Sequence, residues 1–178
     1  MQNALKPLPN WSVDRWFNTP KPLSLKDLRG KVVVIEAFQM LCPGCVAHGV
    51  PLAQQVHEAF PAEDVAVIGL HTVFEHHAAM TPVSLKAFLH EYRITFPVGV
   101  DKPGKAALPE TMERYGLRGT PSLLLLDRKG GLVAHHFGQV SALKLGSEIT
   151  SLIIGESAAR HERREPGLDL CGDTGCVI

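Results

Sequence analysis

Residues 31–38 read KVVVIEAF, a β-branched apolar run carrying one carboxylate, Glu36, near its end. Its length and the turn-like Leu28-Arg29-Gly30 before it predict a buried strand. Four residues later come Cys42-Pro43-Gly44-Cys45, and VAHGVPLAQQVHEAF then predicts a helix to about Phe60. Gly49 and Pro51 lie inside that helix, so a kink is expected there. DVAVIGL (64–70) predicts a second apolar strand, and HTVFEHHAAM a polar loop. Residues 82–93 place Leu85, Phe88, Leu89 and Tyr92 at helical spacing, with Thr81 as N-cap and Pro82 at the first helical position. FPVGVD (96–101) predicts a short strand, and ALPETMERYG a short helix ended by Gly116. SLLLLD and LVAHHFG, joined by Arg128-Lys129-Gly130-Gly131, predict a β-hairpin, and residues 141–154 a final helix.

Strand and helix alternate, and a hairpin follows. That order predicts an α/β fold, a mixed sheet with helices on both faces. The domain spans residues 23–155. Residues 1–22 hold four prolines and the patch WSVDRWF, an irregular lead-in with room for one short strand. After Gly155 the apolar period stops, and residues 156–178 read as a charged, frayed linker ending in a Cys-x4-Cys tail.

Composition narrows the functional classes. Lys plus Arg and Asp plus Glu number 18 each, with a pI near 7.1, so neither a nucleic-acid surface nor a membrane-attracting patch is expected. No apolar run approaches the roughly 20 residues of a membrane span. The first residues lack a charged start and an apolar leader core, which points to the cytoplasm if Met1 is the natural start, or to the periplasm if a leader has been removed. Four cysteines in 178 residues are too few for a disulfide scaffold, and paired thiols in a reducing compartment suggest redox work or metal binding.

A Cys-x-x-Cys pair opening a helix after a strand has a definite chemistry. The helix N-terminus presents unpaired N–H groups and a partial positive charge, which stabilise a thiolate on Cys42 at the cap position. Pro43 fits the first turn, where its missing N–H costs nothing. Cys45, one turn on and more buried, is the resolving thiol, displacing the mixed disulfide that Cys42 forms. Cys45 must lose a proton to do so. A carboxylate held in an apolar strand has its pKa raised toward neutrality, and Glu36 is the candidate acid/base. The competing reading leaves Glu36 facing solvent or paired with Lys31.

The run from Leu25 to Phe38, the Cys42-Pro43-Gly44-Cys45 motif and Gly119-Thr120-Pro121 before an apolar strand together resemble a thioredoxin-fold protein of the TlpA-like type, over residues 23–154. The resemblance implies thiol–disulfide oxidoreductase activity on a protein or small-molecule disulfide or dithiol. It implies an external reductant or oxidant and no bound cofactor. It also implies that Glu36 manages protons for the second thiol, that Pro121 is a cis-proline beside the dithiol, and that Thr120 offers backbone hydrogen bonds to substrate. The chain departs from thioredoxin in four places. Leu41 replaces the Trp before the first cysteine, Pro43-Gly44 reverses Gly-Pro, Pro51 falls one residue late, and Glu36 is one methylene longer than Asp. Peroxiredoxins share the fold but need Thr three residues before their reactive cysteine, where this chain has Gln39.

Cys171 and Cys176 flank a turn-forming Gly-Asp-Thr-Gly. The linker from Gly155, if flexible, spans on the order of 20–25 Å, enough to cross a small domain. A redox relay between this pair and Cys42 is therefore a candidate, against an inert tail. His48, one turn after Cys45, raises a rival reading as a copper- or zinc-binding protein using the same cysteines. His71, His76 and His77 lack ligand spacing and read as a solvated loop. His135 and His136, adjacent on a strand, must face opposite sides.

Overall fold

The computed structural model describes residues 7–105 and 107–162. The strands are β1 (Val13–Phe17), β2 (Val32–Phe38), β3 (Val65–His71), β4 (Val98–Asp101), β5 (Ser122–Leu126) and β6 (Leu132–Phe137). The α-helices are α1 (Val50–Ala59), α2 (Pro82–Glu91), α3 (Glu110–Arg114) and α4 (Ala142–Glu162). One mixed sheet runs β1-β4-β3-β2-β5-β6, with β2, β3 and β4 parallel and the other pairings antiparallel. β2 is buried at every position, which is why its sequence reads as an unbroken apolar run rather than an alternating one.

Successive side chains of β2 point to opposite faces. Val32, Val34 and Phe38 pack with Val56 of α1, Leu85 of α2 and Leu145 and Ile149 of α4. Val33, Ile35 and Ala37 pack with Met112 of α3 and with Trp11, Leu25 and Leu28 from the N-terminal segment. Helices thus cover both faces, but unequally, and the lead-in completes the thinner side. Trp11, 6% exposed, donates its indole N–H to the Leu23 carbonyl at 2.7 Å. The segment before residue 23 is therefore core as well as connection, and β1 within it pairs with β4 at one sheet edge.

Caps explain several element ends. Thr81 Oγ1 accepts the Ser84 N–H at 3.2 Å, and Pro82 opens α2 as its sequence indicates. Pro109 has no side-chain acceptor for the start of α3, so Asp101 at the end of β4 supplies one. It accepts the backbone N–H groups of Thr111 and Met112, each at 2.9 Å. The hairpin between β5 and β6 closes through Asp127 Oδ1, which accepts the N–H groups of Lys129 and Gly131.

Two expectations need correction. α4 continues past Gly155 to Glu162 instead of fraying at once. Its added residues are charged or small yet favour helix, so the backbone stays helical where the apolar stripe of the sequence stops. His71 is not part of a solvated loop. It is the last residue of β3 and is 1% exposed, while His76 and His77 are exposed. The Cys171–Cys176 pair lies outside the described residues.

Candidate active site

The helix after β2 begins at Pro43, leaving Cys42 at its cap. Cys42 Sγ accepts the Cys45 N–H at 3.4 Å, so the thiol does what a capping oxygen does elsewhere. From Cys45 to Gly49 the helix is π-wound, with the Val50 N–H donating to the Cys45 carbonyl, and it becomes α-helical at Val50. Pro51 has no N–H to donate one turn back. A π turn holds one more residue than an α turn, so it absorbs the extra residue that places Pro51 late. The expected kink has this as its local form.

The two thiols, both free in this structure, sit in unequal surroundings. Cys42 is partly exposed, with its Sγ 3.6 Å from the Thr120 carbonyl oxygen. Cys45 is fully buried. Burial, reinforced by Cys42, pushes the Cys45 thiol up to about 12. Left alone it would stay protonated at any physiological pH.

Glu36 is 1% exposed, so the solvent-facing reading fails. Lys31, its alternative partner, donates instead to the Ala62 carbonyl at 2.6 Å. On β2 Glu36 shares the face of Val34 and Phe38, below the dithiol helix. Gly49, one turn beyond Cys45, lies directly over it. A Cβ at position 49 would collide with the Glu36 carboxyl and come within 2.9 Å of Pro121 Cβ. Burial first, and the charge of Cys42 second, raise the Glu36 carboxyl to about 8. Among the described residues its Oε1 has no hydrogen-bond partner.

The third wall is the turn before β5. The Thr120–Pro121 peptide is cis, and Pro121 Cδ lies 3.3 Å from where a Cβ on Gly44 would stand. The Pro121 carbonyl accepts the Gly138 N–H at 2.9 Å, which ties this turn to the end of β6. Beside it Phe137 is 54% exposed with Arg118 stacked 5.7 Å from its ring centroid, and Leu41 before Cys42 is also 54% exposed. Cys42, Cys45, Glu36, Thr120 and Pro121 thus meet in one place.

Sequence reasoning missed three supports of this site. His71 Nε2 accepts the Met40 N–H at 3.3 Å, holding the loop that carries Cys42. Its burial lowers the imidazole pKa to about 4, which keeps that nitrogen an acceptor. Gln39 Oε1 accepts the Phe74 N–H at 3.2 Å and braces the same loop. Gly49 provides the clearance over Glu36. Only Gly49 left a signal, a glycine inside a helix, and the kink accounted for it too readily.

Among the described residues the other histidines do not converge with Cys42 and Cys45. His48 is exposed, and among the described residues no group of three or more His, Cys, Asp or Glu could hold a metal ion. His135 and His136 do face opposite ways: the former is exposed, the latter bonded to Glu148 of α4 at 2.8 Å. No helix of the described residues is long and apolar enough to cross a membrane.

Residues 5–136 match the model of the AhpC/TSA family. Among curated relatives, the thiol-disulfide oxidoreductase ResA of Bacillus thuringiensis is 28% identical over 119 residues, 67% of this chain and 62% of ResA. The chain spans 17% to 62% of the length of the bacterial relatives compared. A crystal structure of a thioredoxin-like superfamily protein superposes with a TM-score of 0.82 at 67% identity, covering 84% of this chain and 97% of that one. A thiol-disulfide isomerase from Corynebacterium glutamicum gives a TM-score of 0.79 at 53% identity, covering 83% and 96%. The fold is thioredoxin-like.

Proposed function

The chain belongs to the AhpC/TSA family, and on that premise we propose that it catalyses thiol–disulfide exchange through Cys42 and Cys45. One observation carries the reading. A partly exposed thiol at a helix cap stands beside a fully buried one, with a buried carboxylic acid on the strand beneath. The names of the oxidoreductase and isomerase to which the chain is similar support it.

In this reading Cys42 attacks a substrate disulfide and the first substrate sulfur leaves as thiolate. In its carboxylate form Glu36 takes the Cys45 proton, and Cys45 attacks the Cys42 sulfur, releasing the second substrate thiolate. Two electrons pass to the substrate and a Cys42–Cys45 disulfide remains. Reversal of each step oxidises a dithiol instead, and the reduction potential of the pair against its partner sets the direction. The Thr120 carbonyl and the exposed Leu41 and Phe137 form the surface that meets the substrate chain, suited to apolar residues beside a cystine.

Cys171 and Cys176 enter as a second dithiol that exchanges with the first, at the millimolar effective concentration typical of a short tether. Mass spectrometry of the Cys45→Ser variant after mild oxidation tests both parts. A trapped mixed disulfide on Cys42 is expected, and its bonding to Cys171 or Cys176 within one chain establishes the relay. A Cys42 that never forms a mixed disulfide, or wild-type protein that consumes peroxide rapidly without exchanging disulfides, overturns the reading.

A further inference from the structure

The proposed exchange needs a carboxylate at Glu36, which is 1% exposed, so the proton that burial holds there must reach solvent before Cys45 can give up its own. The structure holds a narrow cleft at this carboxyl. Its walls are Glu36, His48, Gly49 and Leu52 of the dithiol helix, Leu123 of β5 and the turn from Gly138 to Val140. Its volume of about 10 Å³ is the room one water molecule needs. Glu36 Oε1 is a buried oxygen with no partner among the described residues, so a water in the cleft would meet an unused acceptor or donor. His48, in the same wall, is exposed to solvent.

We propose that His48 is the proton-relay residue of this site, exchanging protons between bulk solvent and Glu36 through the cleft. The inference rests on the exchange reading above. Before Cys45 gives up its proton, the Glu36 carboxyl passes its own outward to the His48 imidazole through one water. The imidazole releases a proton to solvent, and Glu36 is left as the carboxylate that the Cys45 thiol requires. The relay moves protons alone. The groups that face Glu36 leave His48 as the one suited to this role. The helix presents Cys42 and Cys45, which belong to the redox step; at the paired positions β3 presents Gly69 and β5 presents Leu123, neither titratable. Gln139 carries no exchangeable charge.

The test is the rate at which reduced full-length protein is oxidised by excess oxidised glutathione in weakly buffered solution, followed by stopped-flow. His48→Ala is expected to slow resolution of the mixed disulfide about tenfold, below the range for loss of a direct acid–base group. Added imidazole should restore the rate in that variant and leave wild type unchanged, while the reduction potential stays at the wild-type value. In a Glu36→Gln, His48→Ala double variant the imidazole response should vanish. A His48→Ala protein that reacts at the wild-type rate, or one slowed without responding to imidazole, overturns the relay. So does an imidazole response that survives removal of the Glu36 carboxyl. Wild-type protein that does not react with the disulfide at all defeats the exchange reading itself, a different and separately recognised result.

Discussion

Two buried titratable side chains impose opposite demands on the folded state. Glu36 loses its proton near 4.5 when unfolded and near 8 when folded, so the folded chain binds the extra proton between those values. Stability therefore falls as pH rises through that window, by on the order of a few kcal/mol. His71 behaves the other way. Its pKa drops from 6.5 to about 4 on folding, so stability is lost as pH falls through that range. The two slopes offset each other in mild acid and leave a net decline toward pH 8. Glu36→Gln is expected to remove the decline, with a urea midpoint above wild type at pH 8 and stability that rises to a plateau instead. It should also slow disulfide exchange by about 100-fold, the low end of a lost acid–base group. Gly49→Ala acts on the same carboxyl by sterics. With Glu36 and Pro121 both in the way of a Cβ, overpacking should cost about 1–3 kcal/mol, read as a lower midpoint at unchanged m-value.

Elements here are held at their ends by side chains from elsewhere in the chain. Asp101 binds β4 to the first turn of α3 and to the Thr72 hydroxyl at 3.0 Å. Asp101→Ala would leave those N–H groups buried without an acceptor, at about 2–3 kcal/mol, and amide exchange should quicken first at Thr111 and Met112. The same fact limits what a sequence discloses. The central strands, the hairpin and the start of α2 were legible because their signals are local: apolar runs, a Gly-Gly turn, a Thr-Pro cap. The cap on α3 was not, because its acceptor lies nine residues before the helix it serves. His71 was misjudged, and the burial of Trp11 went unread, for a related reason. Their burial depends on which surface the sheet offers them, and no window around either residue contains that surface. The helix beyond Gly155 was missed because apolar periodicity reports packing, and this stretch keeps its helix without it. The dithiol and Glu36 were legible because motif and strand are contiguous, whereas the cleft lined by Glu36, His48 and Gln139 arises only when four separate segments meet.

At the scale of the whole molecule, the chain joins two faces of unequal thickness around one sheet. Three helices cover one side, and α3 with the N-terminal segment covers the other. The proposed chemistry lies on the thicker side, where burial is deep enough to keep a carboxylic acid protonated near neutrality. Part of that protonation comes from the charge of Cys42, and this charge disappears when the disulfide forms. Oxidation therefore weakens the hold of Glu36 on its proton, and electrons leaving the molecule take an additional proton with them. Each extra proton per two electrons steepens the dependence of the reduction potential on pH by about 30 mV per pH unit. Redox titrations against glutathione at a series of pH values should show that steeper segment around pH 8, and Glu36→Gln should straighten it. Ambient acidity would then act as a second substrate, deciding with the partner's own potential which way the thiols run.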